Sequence, residues 1–175
     1  MERYLLICAL VFAVLGSAED ARTRKIPNRL TYFGLIAGLL LRFFMLGWPG
    51  LRAGLIGTVV GGGIFLFLFL LGGMGGGDVK LMAAVSAWAG VTEIVNLLIA
   101  AALAGGAMAI VVMLYQQRVL TTIRNTMVLI QHHLTVGLRP HPDLNVKQAH
   151  SMRLPFAPAI AIGTLYCLSR TFSWG

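Results

Sequence analysis

Two aspartates carry the chemistry open to this sequence. Asp78 ends the glycine run Gly75-Gly76-Gly77 and follows the apolar stretch 51–71. A carboxyl group at or near membrane depth is costly to keep and calls for a named partner and a purpose. The chain holds six Asp and Glu residues. Asp20 stands out among them because it also closes an apolar stretch, 4–18, just before the basic, proline-broken segment Arg22-Thr-Arg-Lys-Ile-Pro-Asn-Arg29. Two carboxyls brought together do not both ionise easily, so such a pair shares a proton near neutral pH. The charged member can then take a proton from water while the protonated one donates to a carbonyl oxygen, which is acid/base chemistry suited to a peptide bond. A helix beginning at Asp78 favours its anion. Coupled sites do not assign base and acid individually, so both assignments stay open.

Each aspartate also has a plainer reading. Asp78 directly precedes the apolar run 79–89 and could simply cap its helix. Asp20 could be an interfacial charge closing the first helix. The glycines argue for more: before Asp78 they let the backbone unwind and let an extended substrate approach. Gly75 and Gly77 are therefore candidate substrate-binding positions. Lys80 is a third, able to pair with a substrate carboxylate or a lipid phosphate, although a lysine here can also snorkel to the interface. A phosphate-binding P-loop is excluded because no Gly-Lys-Ser/Thr follows the glycines.

The elements that must hold these residues are membrane helices. The chain is 58% hydrophobic and 11% charged, with mean hydropathy +0.83. Soluble chains carry about 25% charged residues, so this composition points to spanning helices. The apolar segments are 2–18, 30–46, 51–71, 79–89, 94–115 and 154–168. They predict an all-α polytopic protein of about six spans, with the fourth short enough to form a re-entrant hairpin with the fifth. Little remains for a separate soluble domain, so 1–175 reads as a single membrane domain. Arg3, an apolar stretch and Gly16-Ser17-Ala18 resemble a cleavable signal peptide. The cations crowding the other flank favour an uncleaved first helix instead.

With the N-terminus outside, four of the fourteen Lys and Arg residues (Arg3, Arg42, Arg52 and Arg170) lie outside. The other ten fall in the inside loops 19–29, 72–80 and 116–153, which puts Asp20 and Asp78 on one cytoplasmic side. The net charge of +8 then reads as topology and attraction to anionic membrane lipid. Nucleic-acid binding would need a basic stripe on one face, and these cations are spread over separate loops.

Several local signals shape the connections. Pro27-Asn28 predicts a helix start with Asn28 as its cap. Trp48-Pro49-Gly50 predicts a turn at the membrane–water interface. Gly61-Gly62-Gly63 and Gly105-Gly106 predict close approach of helices rather than ligand sites. Val119, Ile123, Met127, Ile130 and Leu134 predict an amphipathic surface helix in the polar stretch 116–153. His132, His133, His141 and His150 lie there too, without Cys or Glu at metal-ligand spacing. Leu154-Pro-Phe-Ala-Pro158 predicts an extended or kinked lead into the last helix. Cys8 and Cys167 lie in apolar segments and form no Cys-x-x-Cys pair, so no metal or other cofactor is expected.

The order of these motifs resembles a known family. Asp20 with Arg24-Lys-Ile-Pro-Asn-Arg-Leu-Thr31, then Gly75-Gly-Gly-Asp-Val-Lys-Leu-Met82, then Leu154-Pro-Phe-Ala-Pro-Ala159 is similar to type IV prepilin peptidases, membrane aspartyl proteases of the Gly-x-Gly-Asp class. The resemblance implies that Asp20 and Asp78 form a catalytic dyad at the cytoplasmic face of a bacterial inner membrane. It implies prepilin or pseudopilin substrates whose short basic leader is cut off after a glycine, before a hydrophobic helix. Larger bifunctional members carry a cysteine-rich insert after the first helix and methylate the new N-terminus. The first helix here leads straight to Asp20 with no cysteine tetrad, as in the minimal members serving tight-adherence (Flp) pili, so N-methylation is not expected. The rival readings are a small transporter or channel subunit binding cations or protons at the aspartates, and a structural component of a secretion assembly.

Overall fold

The computed structural model describes residues 2–71, 73–115 and 156–173, with isolated positions between 124 and 135. The protein is all-α. Its principal helices are α1 (Glu2–Thr23), α2 (Asn28–Leu70), α3 (Gly76–Tyr115) and α4 (Ala157–Ser173). The first three are long and apolar enough to cross a membrane. Large apolar side chains such as Val11, Phe44, Val59 and Leu103 face outward, as expected of a protein whose outer surroundings are lipid.

Both of the longest helices are broken once. In α2 the break is Gly47, at φ +64°, and in α3 it is Gly90, at φ +69°. Glycine reaches this left-handed region without a Cβ penalty, which is why the chain can turn there. A Cβ placed on Gly54 would stand 3.0 Å from the Leu39 side chain. A straight helix would hold those residues about 22 Å apart, so α2 folds back on itself at Gly47. The same holds at Gly90: Ser86 and Ile94 both face Gly61, although a straight helix would separate them by about 12 Å. The six apolar segments of the sequence therefore occupy six helical stretches. The sequence placed the first turn on Trp48-Pro49-Gly50, whereas the turning residue is Gly47. Pro49 falls in the first turn of the returning limb, where a missing N–H is harmless.

Small residues let the limbs pack closely. Along α2, Gly54, Gly57 and Gly61 recur at helical spacing and receive the Ala87 carbonyl, the Ser86 carbonyl and the Ser86 side chain. Gly62 faces Ala83, while Gly63 faces open space. Gly105 accommodates the Phe156 ring, and Gly106 meets nothing. The core lies between α1, α3 and α4, with Leu5, Leu6, Leu81, Met82, Val85, Trp88, Leu97 and Ile160 all buried.

The end of the bundle remote from Asp20 is tied together by Arg42, which is 1% exposed. Its Nε donates to the Gly50 carbonyl at 3.2 Å and its Nη1 to the Trp88 carbonyl at 2.6 Å. Glu2 completes the cluster, with an oxygen 3.8 Å from Arg42 Nη2. Counting charges puts Arg42 on the outer side, near the end of the apolar segment 30–46; the structure buries it between the two glycine breaks. There its donors satisfy carbonyls next to each break, an arrangement that keeps a charge tolerable away from water. Trp88 extends the tie, donating its indole N–H to the Gly34 carbonyl at 2.8 Å and stacking on Phe12.

Candidate active site

The opposite end of the bundle holds the candidate site. Asp20 belongs to the buried stripe of α1 formed by Ala9, Ala13 and Gly16, so helical periodicity turns its carboxyl inward. Beyond Thr23 the chain leaves the helix through Arg24, at φ +52°, whose N–H still bonds the Asp20 carbonyl at 2.8 Å. Thr23 Oγ1 donates to the Lys25 carbonyl at 2.9 Å and stiffens this short link. Pro27, extended at φ −62° and ψ 133°, caps α2, and Asn28 is the first helical residue. The cap expected at Asn28 is therefore one residue earlier. The Asn28 side chain is left free to accept a hydrogen bond from Lys80 Nζ at 2.8 Å.

Asp78 enters from α3. The helix begins at Gly76, so Asp78 sits in its first turn, and its Oδ2 accepts the Gly75 N–H at 3.3 Å. A side chain at this position reaching back to the N–H just before the helix is the acidic half of a capping box. The capping bond leaves Asp78 at the cavity, so capping does not exclude the chemical role expected of it. Irregular backbone was expected at Gly77; instead Gly76 and Gly77 are helical and only Gly47 and Gly90 have positive φ among the described glycines. What Gly77 provides is room. A Cβ there would stand 3.3 Å from Ile26 Cβ, so the absent side chain lets the α1–α2 link lie against α3.

Asp20 and Asp78 are each 8% exposed and line one cavity of about 320 Å³. Asp78 lies in the electrostatic field of Asp20. The rim carries Arg24, Lys25 and Lys80, and the wall is the backbone of Gly75, Gly76 and Gly77. Lys80 Nζ also sits 5.9 Å from the centre of the Tyr32 ring. The backbone of Ala157, at the start of α4, lies beside the Asp20 carboxyl. Asp20 Oδ2 is buried without a hydrogen-bond partner among the described residues. Two carboxyl groups lining one cavity hold a position from which a water or a carbonyl can be engaged.

The family profile described as the type IV leader peptidase family matches residues 5–110, a span containing both aspartates. The chain belongs to that family. Among curated proteins, it is 37% identical over 115 residues to a prepilin leader peptidase/N-methyltransferase of Burkholderia pseudomallei (strain 1026b), covering 60% of this chain and 35% of that one. It is 34% identical over 119 residues to the protein of the same description in Escherichia coli (strain K12), covering 64% of this chain and 52% of that one. A third, from Dickeya chrysanthemi, is 36% identical over 110 residues, or 57% and 37% of the two chains. The alignments thus span between about a third and a half of these relatives. No solved structure matches the chain.

Every residue singled out for chemistry from the sequence lies at this cavity: Asp20, Gly75, Gly77, Asp78 and Lys80 all line it. Sequence reasoning gave no role to Ile26 or Ala157, and to Asn28 only that of a helix cap. Their signal was present in the Ile26-Pro27-Asn28 and Phe156-Ala157-Pro158 motifs, but only folding shows which side chain or N–H each presents. The stretch 116–153, with its expected surface helix and four histidines, falls almost wholly outside the described residues. Among the described residues no group of three or more His, Cys, Asp and Glu is placed to hold a metal.

Proposed function

We propose that this chain is an aspartic endopeptidase of the bacterial inner membrane that removes the leader peptide from type IV prepilins or pseudopilins, Flp-like pilins foremost, at the cytoplasmic face. The observation that carries the reading is the meeting of Asp20 and Asp78 in one cavity walled by glycine backbone, in a member of the leader peptidase family. A cavity of this size accommodates the residues around one peptide bond.

In the proposed reaction, one aspartate is charged and the other protonated. The charged carboxylate takes a proton from water as the water oxygen attacks the scissile carbonyl carbon, and the protonated partner gives its proton to the carbonyl oxygen. Collapse of the tetrahedral intermediate breaks the C–N bond. The leaving nitrogen takes the proton first lifted from water, and the hydroxyl proton of the intermediate returns to the dyad. Leader carboxylate and mature amine are released with the dyad restored. Either aspartate can hold either role. The Gly75–Gly77 backbone lies beside the extended substrate, and the Lys80 ammonium, anchored by Asn28, keeps donors for a substrate carboxylate. N-methylation is left out of the proposal: the cysteines of this chain, Cys8 and Cys167, lie within α1 and α4.

The test is incubation of the purified protein with candidate pilin precursors, mapping products by mass spectrometry. Cleavage after a glycine, ahead of the hydrophobic helix, supports the reading. Intact precursors together with cation or proton flux in liposomes would move the aspartates to a transporter.

A further inference from the structure

A second cavity of about 730 Å³ opens between α1 and the start of α2. Its walls are Leu15, Ala18, Leu30 and Phe33, and its rim carries Arg22 and Arg29. Leu15 is 48% and Phe33 66% exposed, so the apolar walls face the surroundings of the bundle rather than its core. Phe33, one of these walls, packs on Phe12, which also lies against Gly34 and so ties the groove to the α1–α2 contact. Glu19 also lines the groove, yet neither arginine is ion-paired with it or with any other carboxylate among the described residues.

The geometry of α1 decides what such a groove can serve. Leu15, Ala18, Glu19 and Arg22 recur at intervals of three and four, forming one stripe of the helix. Ala9, Ala13, Gly16 and Asp20 form another, which is buried. At about 100° per residue, the two stripes lie roughly 140° apart around the axis. A substrate helix seated in the groove would therefore present its cleavage point away from Asp20. The groove instead combines two features of lipid recognition, a lipid-facing apolar trough and two guanidinium groups at its polar end. Guanidinium groups bind phosphate in paired geometry and reach the membrane interface on long side chains.

We infer that this groove binds one anionic phospholipid, with the headgroup phosphate between Arg22 and Arg29 and an acyl chain along Leu15, Ala18, Leu30 and Phe33. The site is separate from the dyad and stands whether or not the chain cleaves pilins. It has a consequence for the dyad all the same: a lipid here packs on both ends of the 24–27 link, which carries Ile26 against Gly77.

The test is native mass spectrometry of the full chain released from nanodiscs containing phosphatidylglycerol and phosphatidylcholine. The wild type is expected to retain phosphatidylglycerol over phosphatidylcholine by about thirty-fold, the product expected of two interfacial cationic side chains. Arg22→Gln/Arg29→Gln should bring retention close to parity. Ala18→Phe, which fills the groove and spares both arginines, should lower total lipid retained at the site. Arg52→Gln/Arg170→Gln removes the same charge from the other end of the bundle and should retain lipid as the wild type does. The inference is overturned by wild-type retention in Arg22→Gln/Arg29→Gln, or by equal loss in the Arg52/Arg170 control. It is overturned too if excess inorganic phosphate displaces the lipid, which would make this a free-anion site. If Ala18→Phe leaves lipid in place but weakens pilin-precursor binding, the groove belongs to the substrate and the inference also fails.

Discussion

Ile26 lies directly on Gly77: a Cβ added to the glycine would stand 3.3 to 3.5 Å from three atoms of the isoleucine side chain. This contact joins the link that follows Asp20 to the turn that carries Asp78. Gly77→Val should therefore cost cleavage through displacement of Ile26, since overpacking of this kind costs about 1–3 kcal/mol. A drop of about tenfold in kcat/KM is expected, partly restored by the second change Ile26→Ala. Gly62→Val meets Ala83, whose Cβ lies 2.9 Å from the position of the new Cβ, and should lower abundance and melting temperature more than the rate per folded molecule. Cleavage rates at matched membrane abundance separate the two. No rescue by Ile26→Ala would detach Gly77 from this contact.

Asp20→Asn and Asp78→Asn should each abolish cleavage, by at least about 100-fold, because each removes a group that must both hold and release a proton. Folding should survive in both. In Asp78→Asn the amide oxygen can still accept the Gly75 N–H, so this variant should melt close to the wild type. Initial rates on one precursor, with thermal melts of the same preparations, test this. Wild-type cleavage by either variant would reduce that residue to a cap.

The pH dependence should be bell-shaped. A pair sharing one proton is active only in its singly protonated form, so kcat/KM falls on both the acid and the alkaline side. The two apparent pKa values belong to the dyad jointly. A profile that rises to a plateau with no alkaline fall would leave a single carboxylate acting alone.

Arg42→Met should destabilise the bundle by roughly 1.5–3 kcal/mol, the range for losing hydrogen bonds from a buried charged donor, since Glu2 is half exposed and can be solvated. It leaves the Gly50 and Trp88 carbonyls without their donor and Glu2 without its partner. Gly90→Ala should act alike, because its new Cβ meets the Arg42 guanidinium and its φ is +69°. Melting temperature in detergent is the measurement. Cleavage per folded molecule should change little at temperatures well below the transition.

Reporter fusions at Arg24 and Gly76 should read cytoplasmic and one at Gly50 external, following the distribution of basic residues. Arg24 and Gly76 line one cavity, so opposite signals from them would contradict the fold.

The candidate site was legible because its residues stand in local patterns. Asp78 announces itself by its glycines, and Asp20 by closing an apolar run in a chain poor in acids. Helix existence was equally legible, since hydropathy reports it directly. Gly47 was not, because Trp48-Pro49-Gly50 carries the louder turn signal while only the left-handed backbone of Gly47 makes the reversal. The burial of Arg42 was not legible either: charge counting assumes exposure, and nothing in its neighbours shows the two carbonyls that receive it. The Asn28–Lys80 bond spans 52 residues and exists only once α2 and α3 are docked.

Arg42 and the dyad occupy opposite ends of one lever. Glu2, at the foot of α1, is held beside Arg42, while Asp20 lies eighteen residues along the same helix. At 1.5 Å per residue the arm is about 27 Å long. Pivoting α1 by about 10° around its tethered foot swings Asp20 through roughly 5 Å, the spacing at which one extended chain lies beside another. Such a swing would leave the hydrogen bonds inside the helix untouched, so it is the packing of Leu5, Leu6, Ala9 and Ala13 in the core that sets how closely Asp20 approaches Asp78.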